Sequence, residues 1–189
     1  MEQAIEWMQE MKETGAKHFN AERFQEAHTV WFKAHMKMRN RMTRGASWYL
    51  LYSQGGHKFI VSVAEFCFDI SLMAAQAGLQ ILGTELTDQA QRGAMLTYVN
   101  VSLQAAQGGI VLSYWAPDFK WMPQNSQLAK LPYLIAKCVR LGGVEEGRPV
   151  AISLIADAMA LSPDDADIKA ESRAIVGWTA EESEQGAQP

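Results

Sequence analysis

The sequence predicts an all-helical chain, and three observations support this prediction. Apolar residues recur at spacings of three and four, glycines and helix-capping residues separate the periodic stretches, and no stretch shows sustained apolar–polar alternation. Spacings of three and four place apolar side chains on one face of a helix, whereas a strand requires a spacing of two. The longest such stripe consists of Phe59, Val63, Phe66, Ile70, Met73, Ala77 and Ile81.

Helix ends are predicted from glycine and from capping residues. Glycine commonly ends a helix in the left-handed conformation, and glycine pairs occur at 55–56, 108–109 and 142–143. Asn20 is the predicted cap of the second helix, and Ser162, followed by Pro163, that of the last. The predicted helices span 2–19, 21–43, 46–54, 58–83, 86–107, 109–115, 126–141, 146–161 and 164–177.

Length and composition favour one domain in a reducing compartment. The chain has 189 residues, of which we assign 1–178 to a helical domain and 179–189 to a polar, flexible tail. Cys67 and Cys138 have apolar neighbours and are interpreted as buried thiols. Because there is no uninterrupted run of about eighteen apolar residues and no secretory signal, we expect no membrane span and a cytoplasmic, intracellular location.

The charge distribution leaves two interpretations open. A net charge of −4 gives no reason to expect a nucleic-acid partner, yet the stretch from Lys33 to Arg44 has five cations and no acid. These cations either stabilise the end of a helix through its dipole or form a docking patch for an acidic partner or nucleic acid.

Two segments share a spacing of small and large side chains that suits helical hairpins. Small residues let two antiparallel helices approach closely, and the large apolar residue fills the gap to the next pair. The first segment carries Gly15, Phe24, Ala27, Trp31 and Ala34, and the second carries Ala136, Ala151, Ile155, Ala158 and Pro163.

This pattern resembles the tetratricopeptide repeat, in which units of about 34 residues combine a Trp-Leu-Gly-Tyr helix with an Ala-Phe-Ala helix. A second unit fits through Trp48, Leu51, Ala64, Phe68 and Ser71. The resemblance covers most of residues 5–177 and is poorest at 109–125. It implies antiparallel hairpins stacked as a short, degenerate solenoid, with a C-terminal capping helix.

The same resemblance implies a concave groove for a protein or peptide partner. Co-chaperones of this family hold an acidic C-terminal tail with cations and amides, and the matching positions here are Lys12, Asn100 and Lys130. Two further positions differ, since Ala16 replaces an Asn and Leu134 replaces an Arg. The alternative is that both lysines are solvated surface residues and that Asn100 bonds locally.

An aromatic segment suggests a different function. Trp115, Phe119 and Trp121 lie in a segment that contains Pro117 and Pro123, where the repeat pattern fails. They either line a pocket, as in a small-molecule-binding or enzymatic helical bundle, or fill the core beside a short helix. No catalytic, metal, nucleotide or cofactor motif is present. The first hypothesis is therefore a non-enzymatic scaffold or adaptor, with self-association through the end of the array as a further possibility.

Overall fold

The computed structural model describes residues 2–43, 47–84, 86–110, 121–143 and 145–178. Within these ranges the chain contains no strand and forms seven α-helices with one 3₁₀ turn at Glu145–Gly147. The helices are α1 (Glu2–Asn20), α2 (Phe24–Thr43), α3 (Ser47–Thr84), α4 (Gln89–Ile110), α5 (Asn125–Gly142), α6 (Arg148–Leu161) and α7 (Ala166–Gly177). The prediction of an all-helical fold is confirmed for the described part of the chain.

Glycine interrupts or ends helices at two of the predicted pairs. Gly56 has a non-helical backbone with φ 63° and ψ −169°, so α3 is broken there as predicted. Gly143 follows α5 with φ 71°, and its amide bonds to the carbonyl of Arg140. At the third pair, Gly108 and Gly109 lie in the last turn of α4, which is described as far as Ile110, and residues 111–120 lie outside the described ranges.

Both predicted helix caps are wrong. Asn20 is the last residue of α1, and the turn to α2 is made with Glu22 in the left-handed region at φ 57°. Ser162 follows α6, and Asp165 caps α7 by accepting hydrogen bonds from the amides of Asp167 and Ile168. A charged carboxylate that satisfies two free amides is an effective N-cap.

The core consists of three apolar clusters, each formed by three helices that follow one another in the chain. The first lies between α1, α2 and α3, the second between α3, α4 and α5, and the third between α5, α6 and α7. The part of α3 after Gly56 contributes to both of the first two clusters, and α5 contributes to the second and third. These two helices therefore join neighbouring parts of the core.

The small residues of the predicted hairpins are buried at helix contacts. Ala27, Ala34, Ala151 and Ala158 are at most 2% exposed. In the second predicted unit Ala64, Phe68 and Ser71 are also buried, whereas the side chains of Trp48 and Leu51 lie outside the described residues. Burial of the small residues is thus confirmed, because the helices approach closely where these side chains are short.

The hydropathy of α3 bears on the expectation that the chain has no membrane span. Among the described residues one segment, Gly55–Thr84, is long and apolar enough by length and composition to cross a membrane, with a mean hydropathy of 1.5. Scattered polar residues occur within this segment, so it contains no long uninterrupted apolar run. Of its most apolar window 61% is buried inside the protein, as expected of a core helix, so this is weak evidence for a membrane span.

Candidate functional site

The odd-numbered helices contact one another as well as their neighbours in sequence. Helix α1 packs against α3, α3 against α5, and α5 against α7. We call these four helices the odd-helix row. Polar side chains connect adjacent members of this row, and these connections include one of the predicted binding residues.

The first connection is centred on Asp69, in α3. Lys12 Nζ of α1 lies 2.6 Å from Asp69 Oδ2, and Gln127 Nε2 of α5 donates to Asp69 Oδ1 at 3.3 Å. We call these three residues the Asp69 junction. The side chains of Lys12 and Asp69 are 33% and 15% exposed, so water reaches the ion pair. A pair exposed to this degree contributes at most about 1 kcal/mol to stability.

Lys130 lies beside this junction on α5. It is exposed and follows Gln127 by three residues, so the two side chains are neighbours on the helix surface. The structure therefore brings two of the predicted residues, Lys12 and Lys130, to helices on either side of α3. Asn100 is exposed on α4, which lies outside the odd-helix row. The predicted set of three is not assembled on one row of helices.

The second connection joins α5 to α7. Arg140 Nε and Nη2 donate to the two carboxylate oxygens of Glu171 at 2.6 and 3.1 Å. Glu171 is only 6% exposed, so the bidentate pair is held in the interface. Burial, followed by the nearby carboxylates of Asp167 and Glu171, raises the pKa of Tyr133 to about 12. Tyr133 is therefore neutral near pH 7.

The aromatic segment predicted to form a pocket lies mostly outside the described residues. This applies to Trp115 and Phe119. Trp121 is half-buried and packs against the first two core clusters, with its ring 5.9 Å from that of Phe68 in an edge-to-face arrangement. The observed contacts of Trp121 are therefore those of a core residue.

The sequence did not predict a cluster of aromatic side chains between α2 and α4. His28 and Phe32 stack at 5.4 Å between ring centroids, and Phe32 meets Tyr98 edge-to-face at 5.2 Å. His28 is 6% exposed, and its Nε2 has no hydrogen-bond partner among the described residues. The four-residue spacing of His28 and Phe32 could have indicated a shared helix face. Their contact with α4 could not have been read from spacing.

Asp69 was missed as well, although the sequence holds a signal for it. Asp69 is an acidic residue in the segment that carries the longest apolar stripe, and it directly precedes Ile70. Such a residue lies near the edge of a buried helix face, where a polar partner is required. The partners themselves, Lys12 and Gln127, are 57 and 58 positions away in sequence.

Neither cysteine is activated in the structure. Burial raises the pKa of Cys67 to about 12 and that of Cys138 to about 11, so neither thiol is an activated nucleophile. Within the described ranges there is no group of three His, Cys, Asp or Glu side chains that could hold a metal ion. In comparisons with known proteins, no family model, no curated protein and no solved structure matches this chain.

Proposed function

We propose that this chain is a non-enzymatic scaffold or adaptor whose helices stack as a short, degenerate tetratricopeptide-like solenoid. The observation that carries the proposal is the odd-helix row, since α1, α3, α5 and α7 contact one another in order. In tetratricopeptide arrays the first helix of each pair lines the groove, and such a row would supply that lining. The buried Ala27, Ala34, Ala151 and Ala158 support the hairpin packing that the proposal requires.

The partner we propose is a protein or peptide segment with an acidic C-terminal end. Lys130 is exposed beside the Asp69 junction, and Lys137 lies two helical turns further along α5, on the same side. Cations spaced along a helix surface favour a ligand with several carboxylates, because each carboxylate gains a charge-assisted hydrogen bond.

A peptide titration tests this proposal. A fluorescein-labelled peptide of Asp, Glu and Gly residues with a free C-terminal carboxylate is titrated with the protein and followed by anisotropy. We expect saturable binding that weakens about tenfold in Lys130→Glu, because an attractive contact becomes a repulsive one. Arg23→Glu is the control, since Arg23 is exposed in the turn before α2, outside the odd-helix row and outside the basic stretch from Lys33 to Arg44.

Two outcomes would contradict the proposal. One is the absence of binding at millimolar protein, which would exclude an acidic tail as the ligand. The other is equal weakening by Arg23→Glu and Lys130→Glu, which would indicate long-range attraction to net charge in place of a site on the odd-helix row.

A further inference from the structure

We infer that Asp69 occupies the place of a partner's carboxylate, so that an acidic ligand must displace it from Lys12 and Gln127. This inference rests on the proposed function and assigns Asp69 as the residue that sets affinity at the same site. Asp69 would compete with the ligand for Lys12 and Gln127. The site would therefore bind only ligands that carry enough carboxylates to displace Asp69.

The geometry of the Asp69 junction carries this inference. Each carboxylate oxygen of Asp69 meets one donor, a cation from α1 at 2.6 Å and an amide from α5 at 3.3 Å. A cation and an amide held on two flanking helices are the donors expected in a site for a peptide carboxylate. Here an internal residue satisfies them.

The exposure of the junction makes displacement feasible. Lys12 and Asp69 keep 33% and 15% of their side-chain surface accessible, so a ligand can reach them without opening the core. Ion pairs in such positions are weak, because water competes for both charges. The exposed Lys130, one turn from Gln127, offers a first contact for an incoming acidic chain.

Removal of the Asp69 charge should therefore strengthen binding. Asp69→Asn keeps the size of the side chain while it frees Lys12 from its ion pair and removes a negative charge that repels the ligand. We expect the labelled acidic peptide to bind about fivefold more tightly, which corresponds to roughly 1 kcal/mol. The double variant Lys12→Met/Asp69→Asn should lose this gain, since Lys12 is the donor that becomes available.

Glu65→Gln is the matched control. Glu65 is exposed on α3, one turn before Asp69, and its substitution changes the net charge by the same amount. Asp69→Ser is a second variant that removes the carboxylate if the amide disturbs folding, and circular dichroism verifies the fold of every variant. The peptide with an amidated C-terminus measures how much of the gain depends on the terminal carboxylate.

The outcomes separate this inference from the proposed function. Tighter binding by Asp69→Asn or Asp69→Ser, with no gain in Glu65→Gln or in Lys12→Met/Asp69→Asn, supports the inference. Binding by the wild type with no change in Asp69→Asn and Asp69→Ser, or with an equal gain in Glu65→Gln, overturns the inference and leaves the proposed function standing. No binding by the wild type or by either Asp69 variant at millimolar protein overturns both.

Discussion

A Cβ atom on Gly15 would lie 2.0 Å from the indole nitrogen of Trp31. The same nitrogen donates to the carbonyl oxygen of Lys12 at 3.4 Å. Helix α1 can therefore approach α2 at this point only because residue 15 has no side chain. The first hairpin, which also positions Lys12 toward α3, depends on this contact.

We expect Gly15→Ala to destabilise the protein by about 1–3 kcal/mol, because the added methyl group overpacks a rigid ring contact. Gly93→Ala is the control. Gly93 is exposed in α4, with open space where its Cβ would be, so alanine should stabilise the helix by up to about 1 kcal/mol. Urea unfolding followed by circular dichroism measures both values. Effects of the same sign would contradict this account of Gly15.

Arg92 joins the ends of two helices to the start of α4. Its guanidinium donates to three carbonyl oxygens, at distances of 2.8, 3.1 and 3.3 Å, those of Leu82, Leu86 and Leu141. A cation at a helix C-terminus also interacts favourably with the helix dipole. Arg92→Met should therefore cost about 1–3 kcal/mol of unfolding free energy. Arg173→Met, at an exposed position of α7, should change stability by less than about 0.5 kcal/mol.

His28 should make stability sensitive to acid. Burial lowers the pKa of His28 below its usual 6.5, and the groups around it, Phe32 on α2, Gly78 on α3 and Tyr98 on α4, are uncharged near neutral pH. Below pH 6.5 the unfolded chain binds a proton that the folded chain resists. This part of the stability is therefore complete above pH 6.5 and is lost as the pH falls through the folded-state pKa.

The variant His28→Phe tests that expectation. It keeps a ring against Phe32 and removes the titratable nitrogen, so unfolding free energies measured from pH 8 to pH 5 should fall less steeply than in the wild type. At pH 8 the substitution should be close to neutral, since the Nε2 atom has no hydrogen-bond partner among the described residues. Identical slopes for the two proteins would show that His28 does not contribute.

The two cysteines should react slowly in the folded protein. Their raised pKa values, about 12 for Cys67 and about 11 for Cys138, leave little thiolate at pH 8. With Ellman's reagent we expect slow release in the native state and rapid reaction of both thiols in urea. Rapid reaction of one thiol per chain in the native state would contradict the raised pKa of that residue.

Much of the helical framework is predictable from the sequence because its signals are local. The periodic stripe from Phe59 to Ile81 predicts a buried helix, and the break at Gly56 needs only the steric freedom of glycine. Helix starts were less predictable. Asn20 and Asp165 are both good caps by type, yet Asn20 is the last residue of α1 whereas Asp165 caps α7.

In the candidate site, too, some features are predictable from the sequence and others are not. Lys12 and Lys130 could be selected from the sequence through a family resemblance. Their relation to Asp69 could not, because the contacts join residues on three helices that are far apart in the chain. The predicted binding role of Asn100 stays a prediction. Its position on α4 separates it from Lys12 and Lys130.

The sequence by itself determined that this chain is helical and where short side chains allow helices to approach, because spacing and side-chain size act over a few residues. Tertiary structure alone decided that α1, α3, α5 and α7 form one row and that Asp69 holds the lysine predicted to bind a partner. Such pairings depend on the order in which helices stack, and that order follows from the summed packing of the whole core.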